Sequence, residues 1–428
     1  MLAFLCMASM AFAADQSPTT PYSGSVPSRS TLTGDWGGVR NDLANKGVTF
    51  DTNLVLTAQG VVDGGGNREW EGGGRGNLLF RVDTGKLGLW PGGFLTAEVE
   101  GNFGKGVNLK TRALMPVNSN QVFPIPGDEG VNVPALNFTQ FLSEQVGVVA
   151  GKLDTMSGDM NEFAHGKGDS QFMNLALNIN PTLLLSVPYS TLGTGVIFLP
   201  TKDPNDVLIT FSAVSAVGSA DRAGFNELDG NAMTYALEGR LRTDFFGMTG
   251  HQLAGVVYSS KDIVAIDQRL NLAPGSNTIE RKPDTKAFYY NFDQYLYEPS
   301  KGSGKGLGIF GRFAATDGNP NFMQYFMSLG VGGKGVMANR PHDSFGVGWY
   351  YLDINHPSFT GPVANRTPLR NEQGVEAYYS AALTPWALVT PDIQYVHGAA
   401  VKKIALLPAD RKDIDDSITM GLRLQLLF

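Results

Sequence analysis

Cysteine is all but missing from this chain. Its single cysteine among 428 residues, Cys6, lies in the apolar run Met1–Ala13, and a chain maturing beyond that run would hold none. Disulfides and cysteine metal sites are thereby excluded, which suits a sheet stabilised by closing on itself. Long apolar runs are lacking too: beyond Met1–Ala13 none reaches the ~18 residues of a membrane helix, so a helical membrane protein is excluded. There is no basic cluster, and 33 Lys+Arg against 40 Asp+Glu leave a net charge of −7, which argues against nucleic acid as a partner. The five histidines, His165, His251, His342, His356 and His397, are scattered. They form neither a His-Glu-x-x-His motif nor a compact triad, and no Gly-x-Ser-x-Gly elbow is present. Gly302-Ser-Gly-Lys-Gly-Leu-Gly308 imitates a phosphate loop, but Lys305 is followed by Gly306 where Ser or Thr is required. Glu162 and His165 stand i, i+3, yet the second such pair of a di-metal site is absent. The expectation is therefore no enzyme, no cofactor and no metal.

What is present is alternation. In Ser417–Phe428, Ile418, Met420, Leu422, Leu424, Leu426 and Phe428 share one face of a strand while Thr419, Gly421, Arg423 and Gln425 share the other. Roughly 9–11 tilted residues carry a strand across a bilayer, so the tail reads as the closing strand of a transmembrane β-barrel. A strand of a soluble sandwich is the rival reading. At the other end, Met1–Ala13 closes on Ala11-Phe12-Ala13, a small-x-small pattern that predicts a signal peptide over 1–13 cleaved before Ala14. No Lys or Arg precedes that run, and Leu5 before Cys6 disfavours lipidation. Gly 53 and 10% aromatic residues suit short strands, turns and interfacial rings.

The chain offers about sixteen candidate strands, an even number allowed to single-chain bacterial barrels. They run near Val48–Val62, Gly76–Thr84, Gly93–Asn102, Ala135–Ser143, Val146–Leu153, Gly193–Pro200, Asp206–Ser215 and Ala232–Arg242. The second half adds His251–Ser260, Asp284–Leu296, Lys305–Ala315, Phe322–Gly332, Asp343–Asp353, Gly374–Thr384, Trp386–His397 and Asp416–Phe428. Long spacers (Asp63–Arg75, Phe103–Pro134, Asp154–Leu192, Lys261–Pro283, Ile354–Gln373) alternate with short ones (Gly85–Gly92, Glu144-Gln145, Thr201–Asn205, Tyr297–Gly304, Pro385), with Thr316–Asn321 the exception. Short turns at one rim and long loops at the other belong to a membrane barrel and not to a sandwich. The organisation expected is an all-β, antiparallel transmembrane barrel over 48–428, preceded by a periplasmic segment over 14–47. That segment carries a short helix over Asp35–Gly47, with Asp35 placed to cap it and Gly47 to end it in the left-handed conformation.

Leu32-Thr-Gly-Asp-Trp-Gly-Gly-Val-Arg40, followed by Gly47-Val-Thr-Phe-Asp51, resembles the amino-terminal motif of the carbohydrate-selective porins, the OprB family. The resemblance continues through Leu89-Trp-Pro-Gly-Gly93, Gly151-Lys-Leu-Asp154, Phe172-Met-Asn174 and Gly306-Leu-Gly-Ile-Phe-Gly-Arg-Phe313. It extends to Arg340-Pro-His-Asp-Ser-Phe-Gly-Val-Gly348, Thr384-Pro-Trp386 and Thr390-Pro-Asp-Ile-Gln-Tyr395. The chain departs from the family pattern at His342 and at His397-Gly-Ala-Ala400, where loop detail differs. The terminal Phe428 likewise resembles the assembly signal of bacterial outer-membrane barrels. Membership implies passive diffusion of small sugars such as glucose across the outer membrane of a Gram-negative bacterium, with a constriction setting selectivity. A general porin, or a barrel whose extracellular loops carry enzymatic or adhesive activity, is the alternative. Outer-membrane lipid is the expected partner of the outward stripe, and because a second subunit would use the same stripe, a homo-oligomer stays open.

Alternation nominates lining residues. If Leu78, Phe80 and Val82 face lipid, Arg81 and Asp83 face inward; if Leu95, Ala97 and Val99 face lipid, Glu98 and Glu100 face inward. The same argument places Lys152 inside against Val149 and Leu153, Glu238, Arg240 and Arg242 inside against Tyr235, Leu237 and Leu241, and Arg312 opposite Ile309 and Phe313. An Arg or Lys on the lipid face costs roughly 2–4 kcal/mol near the midplane, which favours these assignments. Arg81, Glu98 and Arg240 are weighted toward the constriction. The loop Asp154–Leu192, with Asp154, Asp159, Glu162, His165, Lys167 and Asp169, is the candidate to fold into the barrel, and the proline-bearing Phe103–Pro134 is placed to pack over its mouth. Of the aromatic residues, Trp349, Tyr350, Tyr351, Tyr289, Tyr290, Tyr378, Tyr379 and Trp386 read first as interfacial girdle. Where two tyrosines adjoin, one of each pair must face inward and can stack on a sugar.

Overall fold

The computed structural model of the protein describes residues 22–123, 130–157, 160–228, 232–269, 279–355, 358–360, 369–401 and 413–428. The leader, its cleavage point, Asp159 and His356 lie outside the described residues.

Sixteen strands form one closed barrel in which neighbours in sequence are neighbours in the sheet. The first eight are β1 (Val48–Gly65), β2 (Trp70–Asp83), β3 (Gly93–Gly104), β4 (Asn132–Phe141), β5 (Val146–Asp154), β6 (Ser190–Phe198), β7 (Val207–Ser215) and β8 (Met233–Thr243). The remainder are β9 (Gly250–Ser259), β10 (Thr285–Tyr297), β11 (Gly306–Thr316), β12 (Met323–Lys334), β13 (Ser344–Ile354), β14 (Glu372–Thr384), β15 (Ala387–His397) and β16 (Asp415–Leu427). β1 closes the sheet on β16 through antiparallel pairs running from Asn53↔Leu427 to Gly65↔Asp415. Closure leaves no strand edge unpaired, and among the described residues no helix is long and apolar enough to cross a membrane.

Burial alternates with a polarity opposite to that of a soluble protein. On β16, Thr419 and Arg423 are 0% exposed while Met420 and Leu422 are 42% and 50% exposed. The same inversion holds on β8, where Thr234, Glu238 and Arg240 are buried and Tyr235, Leu237 and Leu241 are exposed. On these strands the polar side chains turn into the barrel and the apolar ones clothe its outside, the pattern that a hydrocarbon solvent selects.

The first hairpin is longer than its sequence suggests. The stretch Asp63–Arg75, expected as a long loop, is mostly strand: β1 runs on to Gly65 and β2 starts at Trp70. Glycine makes this possible, because Gly104 lies so close to β2 that a Cβ on it would sit 2.4 Å from the carbonyl oxygen of Gly72. Strand continuity there comes from backbone pairing and not from side-chain alternation, so the pattern carries no trace of it.

Ahead of β1, helix α1 spans Val39–Asn45 and ends at Lys46, with Gly47 at φ +80°. A Cβ on Gly47 would also meet Lys86 Cβ at 2.7 Å. Asp35 does not cap α1, whose N-cap is Gly38. Asp35 instead accepts from the Ser23 hydroxyl (2.7 Å) and the Gly37 amide (3.2 Å), fixing the turn that precedes the helix. This segment sits under the barrel seam: Leu32 N–H donates to Leu427 O (2.7 Å), Arg40 to Thr31 Oγ1 (3.0 Å) and Phe50 O (2.6 Å), and Trp386 Nε1 to Val26 O (2.7 Å).

The apolar core lies within the barrel, between its inner wall and residues 160–189, the infolded segment that follows β5. Phe163, Ala164, Phe172, Ala176, Leu177, Leu183 and Val187 of this segment cluster with Val149, Leu153, Phe310, Phe326, Tyr350 and Tyr378 of the wall. Residues 105–123 turn in beside it, with Ser119 N–H donating to Met173 O (2.8 Å) and Leu175 N–H to Pro116 O (2.9 Å).

Candidate functional site

Wall glycines seat the infolded segment. A Cβ on Gly308 would lie 2.4 Å from the Phe163 ring and one on Gly332 2.7 Å from Phe163 Cβ; Gly346 and Gly348 open a similar seat beneath Phe172 and Leu177. Into these seats pack Phe163, edge-on to Tyr295 (4.9 Å between centroids), and Phe172, against Tyr378 (4.9 Å) and Phe310 (5.4 Å). Burying each ring contributes roughly 1.5–3 kcal/mol.

Buried charges on the wall hold the main chain of the infolded segments. Arg312 donates to the carbonyls of Leu177 (3.0 Å), Asn178 (3.3 Å) and Ala164. Arg423 donates to those of Gly168 (2.7 Å) and Gln171 (2.8 Å). Glu376 accepts from the amides of Met173 (2.5 Å) and Asn174 (2.8 Å), and Glu372 from those of Leu114 (2.6 Å) and Met115 (2.8 Å). A segment without regular structure needs such partners for its amides and carbonyls once it leaves water.

Between the infolded segment and β2–β3 lies a polar cleft of about 400 Å³, lined on the wall by Arg75, Asn77 and Glu98 and on the segment by Asn161, Glu162, His165, Lys167 and Asp169, among others. Lys167 pairs with Asp154 and lies 3.8 Å from Glu98; Arg75 lies 3.4 Å from Asp169 and 3.6 Å from Glu100. Asp169 also accepts from Asn53 (2.8 Å) and Asn120 (2.5 Å), and Asn77 donates to Glu98. Burial works against the Lys167 ammonium, but the Asp154, Glu98 and Glu100 carboxyls beside it prevail and hold its pKa above the ordinary lysine value. The backbone is bent hard at this point. Gly166, Lys167 and Gly168 all have positive φ (90°, 51° and 84°), and a non-glycine residue in that region costs about 1–2 kcal/mol. His165 is engaged through Nδ1 with Asn161 O (2.5 Å) and Glu162 through the Tyr295 hydroxyl (3.3 Å). No group of metal-ligating side chains occurs among the described residues.

The model of the family described as "Carbohydrate-selective porin, OprB family" matches residues 71–428. The chain belongs to this family. Among curated relatives it is similar to "Putative porin QuiX" of Acinetobacter baylyi, 22% identical over 94% of this chain and 93% of that one. Porin B of Pseudomonas aeruginosa is 24% identical over 29% of this chain and 28% of that one. The high-pH structure of Pseudomonas putida OprB superposes with a TM-score of 0.77 at 19% identity, covering 96% of this chain and 100% of the other. OprB-family porins are channels rather than enzymes and reside in the outer membrane of Gram-negative bacteria, so the rim of short turns is periplasmic and the long segments enter from the outside.

Within this porin the residues nominated from sequence occupy different stations. Glu98 lines the cleft, and Glu100 and Asp154 stand in the ionic network behind it. Arg312 braces the infolded segment. Glu238 and Arg240 are buried on the inner wall, Glu238 accepting from the Tyr289 hydroxyl at 2.6 Å. Arg242 lines a smaller pocket at the periplasmic mouth. Arg81 pairs with Asp51 at 2.8 Å, half-open to solvent, and Asp83 accepts the amides of Gly85 (2.9 Å) and Lys86 (3.1 Å) in the turn after β2.

Lys152 does not share the cleft. Its cross-strand neighbour is the exposed Leu136, and its ammonium donates to the carbonyls of Ala220 (3.0 Å) and Arg222. Val149 and Leu153, assigned outward from sequence, belong to the inner cluster. Gly151, at φ +134°, interrupts β5 where a regular alternation was counted. Tyr289, Tyr350 and Tyr378, one of each adjoining aromatic set, are the inward ones, and they pack or hydrogen-bond within the core without reaching the cleft. Arg75, Asn77 and Asn161 were missed. The first two share the parity of Arg81, but Leu79 interrupts the polar alternation between Arg81 and Asn77, and the stretch up to Arg75 reads in the sequence as a loop.

Proposed function

We propose that the porin passes hexose-sized sugars down their concentration gradient through the cleft between the infolded segment and β2–β3, and that Arg75, Asn77, Glu98, Asn161, Lys167 and Asp169 contact them. The observation that carries this reading is the juxtaposition of two cations and several carboxyl and amide groups across a cleft of about 400 Å³ inside a closed barrel. Sugar hydroxyls need donors and acceptors set close together, and opposed charges orient dipolar solutes without strongly attracting ions of one sign. The strained Gly166-Lys167-Gly168 turn supports the assignment, since it aims the ammonium into the cleft at an energetic cost. Of the residues nominated from sequence, Glu98 contacts sugar, Glu100 and Asp154 position Lys167, and Arg240, Glu238 and Arg312 keep the lumen polar and the segment in place. Outer-membrane lipid solvates the belt that includes Phe211, Leu237 and Leu422, and any homo-oligomer would assemble on the same belt.

Single-channel recording in a planar bilayer, with glucose and an uncharged non-sugar solute of similar size titrated in turn, tests the reading. Saturable block by glucose alone is expected. Indifference to both solutes would make the chain a general porin.

A further inference from the structure

Below the cleft, a second pocket of about 260 Å³ opens at the periplasmic mouth between the turns after β6 and β10 and the adjoining ends of β8 and β9. Glu162 of the infolded segment lines both this pocket and the cleft, so the two adjoin at that residue. Two donors here lack hydrogen bonds of their own. The Thr249 hydroxyl belongs to a residue 7% exposed and has no hydrogen-bond partner among the described residues, although its amide is fixed by Glu298 at 2.6 Å. Arg242 Nε is likewise without a hydrogen bond there, its nearest carboxylate being Asp244 at 3.8 Å. His251 is oriented through Nδ1 by Asp293 (2.7 Å), and with Nδ1–H given to that carboxylate the neutral ring offers Nε2 as an acceptor. A buried hydroxyl with no partner is destabilising, and a ligand's hydroxyl bonded to it would relieve that cost.

We infer that this periplasmic pocket is a second saccharide subsite, taking one monosaccharide ring as it leaves the cleft. The inference rests on the sugar-conducting reading above. Its volume lies below the ~300 Å³ at which pockets for larger ligands begin, so a single ring fits and an oligosaccharide does not. The Thr249 and Arg242 donors stand with the His251 ring and the carboxylates of Glu162, Asp203 and Glu298 around the pocket, a mixture of donors and acceptors that suits a polyol's hydroxyls and repels anions. Two sites in series also let a solute leave the first by occupying the second, which keeps binding from stalling conduction.

The test is glucose block in oriented bilayers, with sugar added to one side at a time, on the unaltered porin and on Thr249→Val and Asn205→Ala. Asn205 lies exposed on the turn that borders the pocket, so its replacement leaves the barrel intact. Loss of the Thr249 hydroxyl's hydrogen bond should raise the periplasmic glucose needed for half-block roughly fivefold, and removal of the Asn205 amide from the pocket's lining should raise it in the same direction. Block from the extracellular side should stay within twofold of the unaltered porin. Unchanged periplasmic block in both variants, with the unaltered porin blocked from outside, would overturn the subsite alone. An unaltered porin blocked from neither side would overturn the sugar-conducting reading and this inference with it.

Discussion

Truncating Phe163 and Phe172 together should widen the pore without dismantling the barrel. Both rings are buried, at 3% and 0% exposure, and each occupies its own seat: Phe163 over Gly308 and Gly332, Phe172 over Gly346 and against Tyr378. A buried Phe→Ala change costs roughly 3–5 kcal/mol; Gly332 and Gly346 are cross-strand partners, so the two seats adjoin and the double variant should lose more than either single one without reaching the simple sum. The three hydrogen bonds from Arg312 and two from Arg423 to segment carbonyls remain, but at roughly 1.5–3 kcal/mol each they also need the segment to be seated. The sheet itself, closed through β1 and β16, includes neither ring among its strands. The double variant should therefore show a several-fold larger unitary conductance, lose saturable glucose block, and keep the heat-dependent gel mobility of a folded barrel. Conductance and block equal to those of the unaltered porin would refute the claim that these seats hold the constriction closed.

Other consequences are as direct. Lys167→Gln removes the ammonium that Asp154 and Glu98 pair with and leaves Arg75 as the cleft's remaining cation, so half-block by glucose should require at least tenfold more sugar and reversal potentials should shift toward cation preference. Because the Lys167 pKa is raised, its ammonium persists below that elevated value, and glucose block should hold from pH ~8 to pH ~10, where an unperturbed lysine would already be losing charge; a loss of block over that interval would contradict the ionic network. Leu237→Arg, at an outward position 51% exposed, should lower barrel stability by roughly 2–4 kcal/mol in refolding titrations. Removing Arg40 donors by Arg40→Ala should loosen segment 22–47 from the barrel base, seen as faster proteolysis of that segment with the barrel itself still protected.

The fold was readable because lipid and lumen impose a period of two that survives in strands such as β8 and β16, and because short and long connections keep their order around the rim. The carboxyl-terminal stripe alone shows which face of β16 turns outward. Legibility failed where backbone geometry overrides the period. Gly151 at positive φ breaks the count on β5 and misplaces Lys152, while the glycines of β2 pair without side chains to mark them and hide Arg75. The site was less legible than the fold, since inward parity does not distinguish a charge that touches solute from one that braces main chain. Arg312, Arg423, Glu372 and Glu376 all face inward, yet their partners are amides and carbonyls of the infolded segments. Only the path of residues 160–189, set by aromatic rings fitting over wall glycines far away in sequence, decides which inward charges reach the cleft.

The most direct test of the account is the concentration dependence of labelled glucose uptake into proteoliposomes holding the unaltered porin. Uptake that saturates, that unlabelled hexose competes away and that Lys167→Gln renders linear is the predicted result. Uptake rising linearly in the unaltered porin, without competition, would contradict a saccharide-binding constriction.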